Sequence, residues 1–256
     1  MLRRLTEASD RWGVLKNADR SLAGKGDMDI VAPASEHPIL AEVFEKWASE
    51  EGLRWVVVCP HPGGILVLVA LDRTVWAQLD LVTEMPLRGA RLFSAEDLLP
   101  LMVMDGRGFR RLRTGAEGFL LFVHKGIRRG GRFDVENLER YEILEKLAED
   151  WDGVEQSSHL LGSARRPFLR VLRSALERDW NTRALLEAEA LMAIRALRHP
   201  SILASRVFIR SWRLPRCQVT RTVSAGRQPG DLQAWLALVD RNHEVRVIPE
   251  GGSRTG

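Results

Sequence analysis

A carboxylate inside an apolar strand pattern constrains this chain more than any other feature. Asp80 lies in 75–82, VWAQLDLV, a run whose apolar and aromatic residues suit a sheet interior. A buried, unpaired carboxylate is costly unless it is paired or metal-bound. Upstream, Asp27 and Asp29 sit in 24–31, GKGDMDIV, a second short strand pattern preceded by a glycine pair. Residues two apart in a strand share a face, roughly 6.6 Å apart along the chain. Asp27 and Asp29 therefore present two charges to one place. At about 4 Å and an effective dielectric of about 20, such charges repel by about 4 kcal/mol. A hard divalent cation with oxygen ligands relieves that repulsion. The other reading of Asp-x-Asp is a turn residue followed by a solvated edge residue. The apolar Ile30-Val31 and the third aspartate favour the metal.

The surrounding pattern places these residues. Residues 12–16 suit a short strand and 17–21 a polar loop. After the Asp-x-Asp strand, Ser35 is a candidate N-cap, and Ile39, Leu40, Val43, Phe44 and Trp47 recur at helical spacing up to Gly52. Residues 54–59, 65–71 and 75–82 follow with short Gly/Pro/Asp connections, which reads as a meander in a mixed sheet. The pattern then turns helical: a short helix from Ser94, another over 117–128, and a third over 135–151 with Asp134 as N-cap. Residues 152–163 read as a polar linker, and 165–179 and 182–197 as amphipathic helices. Residues 207–209 and 219–223 suit strands, 232–239 suit a helix, and 251–256 suit a frayed end. With 256 residues, 45% of them hydrophobic, the chain can bury one large core or two modest ones. The expectation is an α+β fold with domains at 1–152 and 163–256, the second mainly helical and basic.

Charge divides the same way. Residues 1–162 carry 21 Lys+Arg against 26 Asp+Glu, whereas 163–256 carry 17 arginines against 8 acids. A basic part of this kind attracts phosphate-rich partners such as RNA, although arginine-rich helices also serve as solvated faces. No window has the about 20 apolar residues of a membrane span, and the N-terminus lacks a secretory apolar stretch. Cys59 and Cys217 are too few for a disulfide framework or a thiolate zinc site, so a reducing cytoplasm is expected. The six histidines show no paired zinc spacing, and neither a P-loop nor a dinucleotide fingerprint is present.

The order of strand (VLKN, 14–17), glycine loop and Asp-x-Asp strand (GKGDMDIV, 24–31), helix, then a strand with a third aspartate (QLDL, 78–81) resembles the nucleotidyltransferase superfamily with the DNA polymerase β-like fold. It looks most like its small bacterial members. The resemblance covers about residues 12–85, and the helices to about 150 suit the same arrangement. It implies transfer of a nucleoside monophosphate from a nucleoside triphosphate such as ATP, with release of pyrophosphate. The acceptor stays open, RNA, tRNA and protein among the candidates. Asp27, Asp29 and Asp80 would be the catalytic and metal ligands for Mg²⁺ or Mn²⁺. Asp80 would also take the acceptor's proton. The chain departs from the family by lacking its Gly-Ser or Gly-Gly pair at a helix start. Ser21, Gly24, Lys25 and Gly26, with Asn17 and Arg20, are the candidates for holding the triphosphate instead. Lys125, Arg128 and Arg129 are further candidates to offset phosphate charge. The rival reading is a catalytically inactive scaffold of this family that binds RNA or a protein partner.

Overall fold

The computed structural model describes residues 1–53, 55–61, 64–71, 76–87, 90–124, 138–197, 200, 217–221 and 245–248. Lys125, Arg128, Arg129, the Asp134 cap and the elements expected at 207–209, 232–239 and 251–256 lie outside them. The fold is α+β on a mixed sheet. Helix α1 (Leu2–Ala8), strand β1 (Gly13–Val14), helix α2 (Ala18–Leu22), strand β2 (Met28–Val31) and helix α3 (His37–Glu50) open the chain. The meander follows as β3 (Trp55–His61), β4 (Ile65–Leu71) and β5 (Trp76–Val82). A separate hairpin, β6 (Glu84–Leu87) and β7 (Ala90–Ser94), leads to α4 (Ala95–Leu98), then β8 (Met102–Met104) and β9 (Arg110–Leu112). Helices α5 (Thr114–Phe122), α6 (Leu138–Glu149), α7 (Trp151–Ser158), α8 (Arg165–Leu176) and α9 (Thr182–Leu197) precede β10 (Cys217–Arg221) and β11 (Val245–Ile248).

The sheet runs β11-β10-β3-β4-β5-β2-β1-β9-β8. The meander is antiparallel throughout, while β2 pairs with β5 in parallel. A parallel pair needs a crossover, and α3 supplies it. Alternation assigns the two faces of the sheet. Met28, Ile30, Val56, Val58, Leu68, Ala70, Leu79 and Leu81 pack under Leu40, Ala41, Phe44 and Ala48 of α3. The other face carries Val57, Cys59, Val67, Val69 and Leu71 on the meander side. Farther along that face, Val31 and Val82 join the core built on α5 and the later helices.

Several expectations shift in the structure. The loop at 17–21 contains a one-turn helix, α2, entered by Asn17 in the left-handed region at φ 53°. The helix expected at 117–128 starts earlier, at Thr114, and is buried on all sides from Gly115 to Phe122. The helix expected over 135–151 is interrupted at Asp150, whose side chain accepts the Gly153 N–H and caps α7. The polar linker expected at 152–163 is instead α7 and a 3₁₀ stretch, His159–Ala164, because Val154, Ser157, Ser158 and Leu161 are buried. Serine hydroxyls made this stretch look solvated, but Ser157 donates to Gly153 O at 2.6 Å and needs no water. One core cluster runs from Leu15 through Phe168 to Ala196. Cys59, wholly buried in β3, is disulfide-bonded, and the other cysteine of the chain, Cys217, begins the strand paired with β3. Among the described residues, no helix is long and apolar enough to cross a membrane.

Candidate metal and nucleotide site

Backbone register brings the distant aspartates together. Asp29 of β2 lies directly opposite Asp80 of β5 in the parallel ladder. Both side chains leave the face opposite α3, since Met28 and Ile30 on one strand and Leu79 and Leu81 on the other point into the α3 core. Asp27, just before β2, shares the parity of Asp29. One carboxylate oxygen from each of Asp27, Asp29 and Asp80 lies within 4.8 Å of the others. Asp29 and Asp80 are partly buried and Asp27 is exposed, so the cluster opens outward at Asp27.

Charge at this spot is only partly balanced. Lys16 Nζ, two residues past β1, is 3.1 Å from Asp29 Oδ2. Gln78, which shares a face with Asp80, donates from Nε2 to Asp80 Oδ1 at 2.9 Å. Burial nevertheless pushes the Asp80 carboxyl up to about 6, against the Gln78 hydrogen bond and with help from Asp29 and Asp27. Burial also raises Asp29, with Lys16 opposing. Three carboxylates with one ammonium and one amide leave excess negative charge and open oxygen lone pairs. That donor set fits a hard divalent cation with positions left for water or phosphate.

A cleft of about 290 Å³ opens beside the cluster, lined by Asp27, Asp29, Lys16, Arg20, Lys25 and Ser21 among others. Part of the backbone around it is already engaged. Gly24 N–H donates to Ser21 O and Lys25 N–H to Arg20 O, both at 3.0 Å, closing the end of α2. The Ser21 hydroxyl donates to Asp27 O at 2.7 Å. Gly24 and Gly26 serve geometry, at φ +70° and +118°, conformations that L side chains rarely adopt. Ser21 and Gly24 therefore shape the turn into β2, and the cleft offers an anion side-chain cations, Lys16, Arg20 and Lys25, in place of backbone donors.

Sequence reading missed the groups that hold this arrangement. Gln78 was legible only as the period-two neighbour of Asp80, and Lys16 reaches Asp29 from beyond the end of the neighbouring strand β1. Glu117 is the larger omission. It is 2% exposed, and its carboxylate accepts the Asn17 N–H at 2.8 Å and Arg111 Nη2 at 3.1 Å. Lys146 Nζ is 3.2 Å from the same group. Glu117 thus ties the Lys16–Asn17 corner to β9 and α6. An acid inside TGAEGFLLF is the same kind of signal as Asp80 inside its strand. Comparison with protein-family models, with curated proteins and with solved structures returns no match for this chain.

Proposed function

We propose that the protein is a metal-dependent nucleotidyltransferase that moves a nucleoside monophosphate from a nucleoside triphosphate to an acceptor hydroxyl. The observation that carries this reading is the in-register pair Asp29 and Asp80 with Asp27 beside it, of which Asp27 and Asp29 line a cleft rimmed by cations. Asp27 and Asp29 would hold the Mg²⁺ or Mn²⁺ bound with the triphosphate, and Asp80 would complete the ligand set. When bound, the ion supplies positive charge against the phosphate oxygens and aligns them for in-line displacement.

The remaining work falls to the chain's own groups. Lys16, Arg20 and Lys25 orient the phosphates and offset the negative charge that grows on the leaving pyrophosphate. Asp80, on the strand beside Asp29, would accept the proton of the acceptor hydroxyl. The acceptor oxygen bonds to the α-phosphorus, the bond from that phosphorus to the bridging α–β oxygen breaks, and pyrophosphate leaves.

The test has two parts. Melting is followed with Mg²⁺ or Mn²⁺ and each nucleoside triphosphate, and cell extract is incubated with protein, Mg²⁺ and α-labelled triphosphates. The expected results are a metal-dependent rise in Tm and transfer of label that Asp27→Asn abolishes while the variant stays folded. Absence of any metal or nucleotide effect on Tm, or full transfer by Asp27→Asn, overturns the reading. A protein that binds the acceptor without labelling it would instead be the inactive scaffold of the same architecture.

A further inference from the structure

Helix α8 has two unlike faces. Phe168, Val171, Leu172 and Ala175 are buried against the core, and Phe168 meets Phe119 and Phe122 edge-on at 5.6 and 5.8 Å. Arg166, Arg170 and Arg173 stand on the exposed side. Residues three and four apart are neighbours along a helix, about 5–6 Å between Cβ atoms, so the three guanidinium groups form one row. With Arg165, Leu169 and Glu187 they line a concavity of about 520 Å³.

Among the described residues, acids do not neutralise this row. Arg170 pairs with Glu187, and Arg173 Nη2 lies 4.0 Å from Glu155. Arg165 Nε donates to a neutral partner, Ser158 Oγ, at 2.9 Å. Four guanidinium groups thus face two carboxylates. The first turn of α8 holds no acid at all and begins with two arginines. Helix dipoles favour negative charge at that end, so the arrangement works against the stability of the free helix. An anion lying over the row would relieve it. The choice of arginine, with no lysine in the row, suits two-pronged hydrogen bonding to phosphate oxygens. At the far end of the row, Arg173 Cζ lies 5.5 Å over the Trp151 ring, and that stack offers a flat cationic surface on which an unpaired base can lie.

We infer that the arginine row of α8 binds single-stranded RNA, with successive phosphates on Arg166, Arg170 and Arg173 and a base stacked at Arg173 and Trp151. Charge complementarity selects a polyanion, and the stacking surface selects one with unpaired bases, the usual state of RNA loops and ends. The binding inference stands on α8 and on Trp151 of α7, apart from the aspartate cluster. Taken with nucleotidyl transfer it makes RNA the acceptor, and that second step rests on the proposed function.

The test uses the full chain in EDTA without nucleotide, so the aspartate site is silent. A labelled, unstructured RNA oligonucleotide is titrated by fluorescence anisotropy over a range of salt. The double reversal R166E/R170E is expected to weaken binding about tenfold or more and to reduce the log–log salt slope by about 1.4. The charge-matched K46E/R91E, on exposed positions of α3 and β7, is expected to lose less than about threefold, the effect of net charge alone. Asp27→Asn is expected to bind RNA as the native protein does, which separates this inference from the chemistry. Unchanged binding by R166E/R170E, or an equal loss in K46E/R91E, overturns it. Tighter α8-dependent binding to duplex DNA or to anionic phospholipid vesicles than to RNA overturns the choice of partner.

Discussion

At the scale of single residues, the aspartate cluster makes stability depend on pH in an unusual direction. Asp80 titrates near 6 in the fold against an ordinary value of 3.8, so the folded state favours its protonated form. Its contribution is fully present below about pH 3.8 and is lost as pH rises through about 6. Metal-free Asp80→Asn is therefore expected to gain in Tm relative to the native protein between pH 4 and pH 7. Melts of the two proteins across that range check the sign, and a parallel pair of curves would refute it. Saturating Mg²⁺ should reverse the order, because the native cluster then gains a ligand and the variant loses one. Lys16→Met is the complementary case. The 3.1 Å contact to Asp29 offsets carboxylate repulsion, and its loss should lower metal-free stability by about 2 kcal/mol at pH 8. Chemical denaturation at pH 8 and at pH 4 measures this, with a smaller deficit expected at pH 4, where Asp29, raised above its ordinary value by burial, carries less charge for Lys16 to oppose.

At the scale of elements, the junction of α5 with α6 and α7 is the tightest contact in the helical half. A Cβ on Gly115 would lie 1.8 Å from Asp150 O. Gly115→Ala gains about 1 kcal/mol of helix propensity, and overpacking against backbone costs about 3 kcal/mol or more, so net destabilisation is expected in urea unfolding. Asp150 closes the same junction. Its carboxylate accepts Arg113 Nε, Gly115 N–H and Gly153 N–H at 2.9 to 3.0 Å, and Arg113 holds its carboxyl below the ordinary range. Asp150→Ala should cost about 2 kcal/mol near neutral pH, measured as a lower urea midpoint with an unchanged slope. Strands β1 to β5 were legible because alternation and Gly/Pro punctuation are local, and so was α9, whose bounds at Thr182 and Leu197 match the expected ones, whereas β6 to β9 and β11 were not read. Asp150 was not legible as a break, because nothing local distinguishes a capping aspartate from a solvated one within a helical run. The aspartate cluster was readable for the reason that a carboxylate among strand apolars is costly anywhere. The contact of Lys16 with Asp29 needed the pairing of β1 with β2, and the partners of Glu117, unlike its presence in an apolar run, needed that of β1 with β9, which no window of sequence contains.

At the scale of the whole molecule, the acidic front of the sequence and helices α8 and α9 of its basic back share one interior. Phe168 of α8 fills the space against Phe119 and Phe122 of α5, and the cluster reaches Ala196 of α9. A fragment ending at 162 is therefore expected to lack a cooperative thermal transition in circular dichroism. A sharp transition in that fragment would establish the 1–152 part as an independent folding unit. The bond at Cys59 makes a further demand: thiol titration of the unfolded chain should find no free thiol without reductant and both thiols with it. All of α3, β3 and β4 lies between Asp29 and Asp80 in sequence, yet the two face each other through one specific pairing of β2 with β5. A slip of one residue in that ladder would turn Asp80 toward α3 and break up the carboxylate cluster. On the proposed function, ion affinity would gauge correct threading: only chains with the central ladder in true alignment would coordinate, and the ion would in turn draw the population toward them.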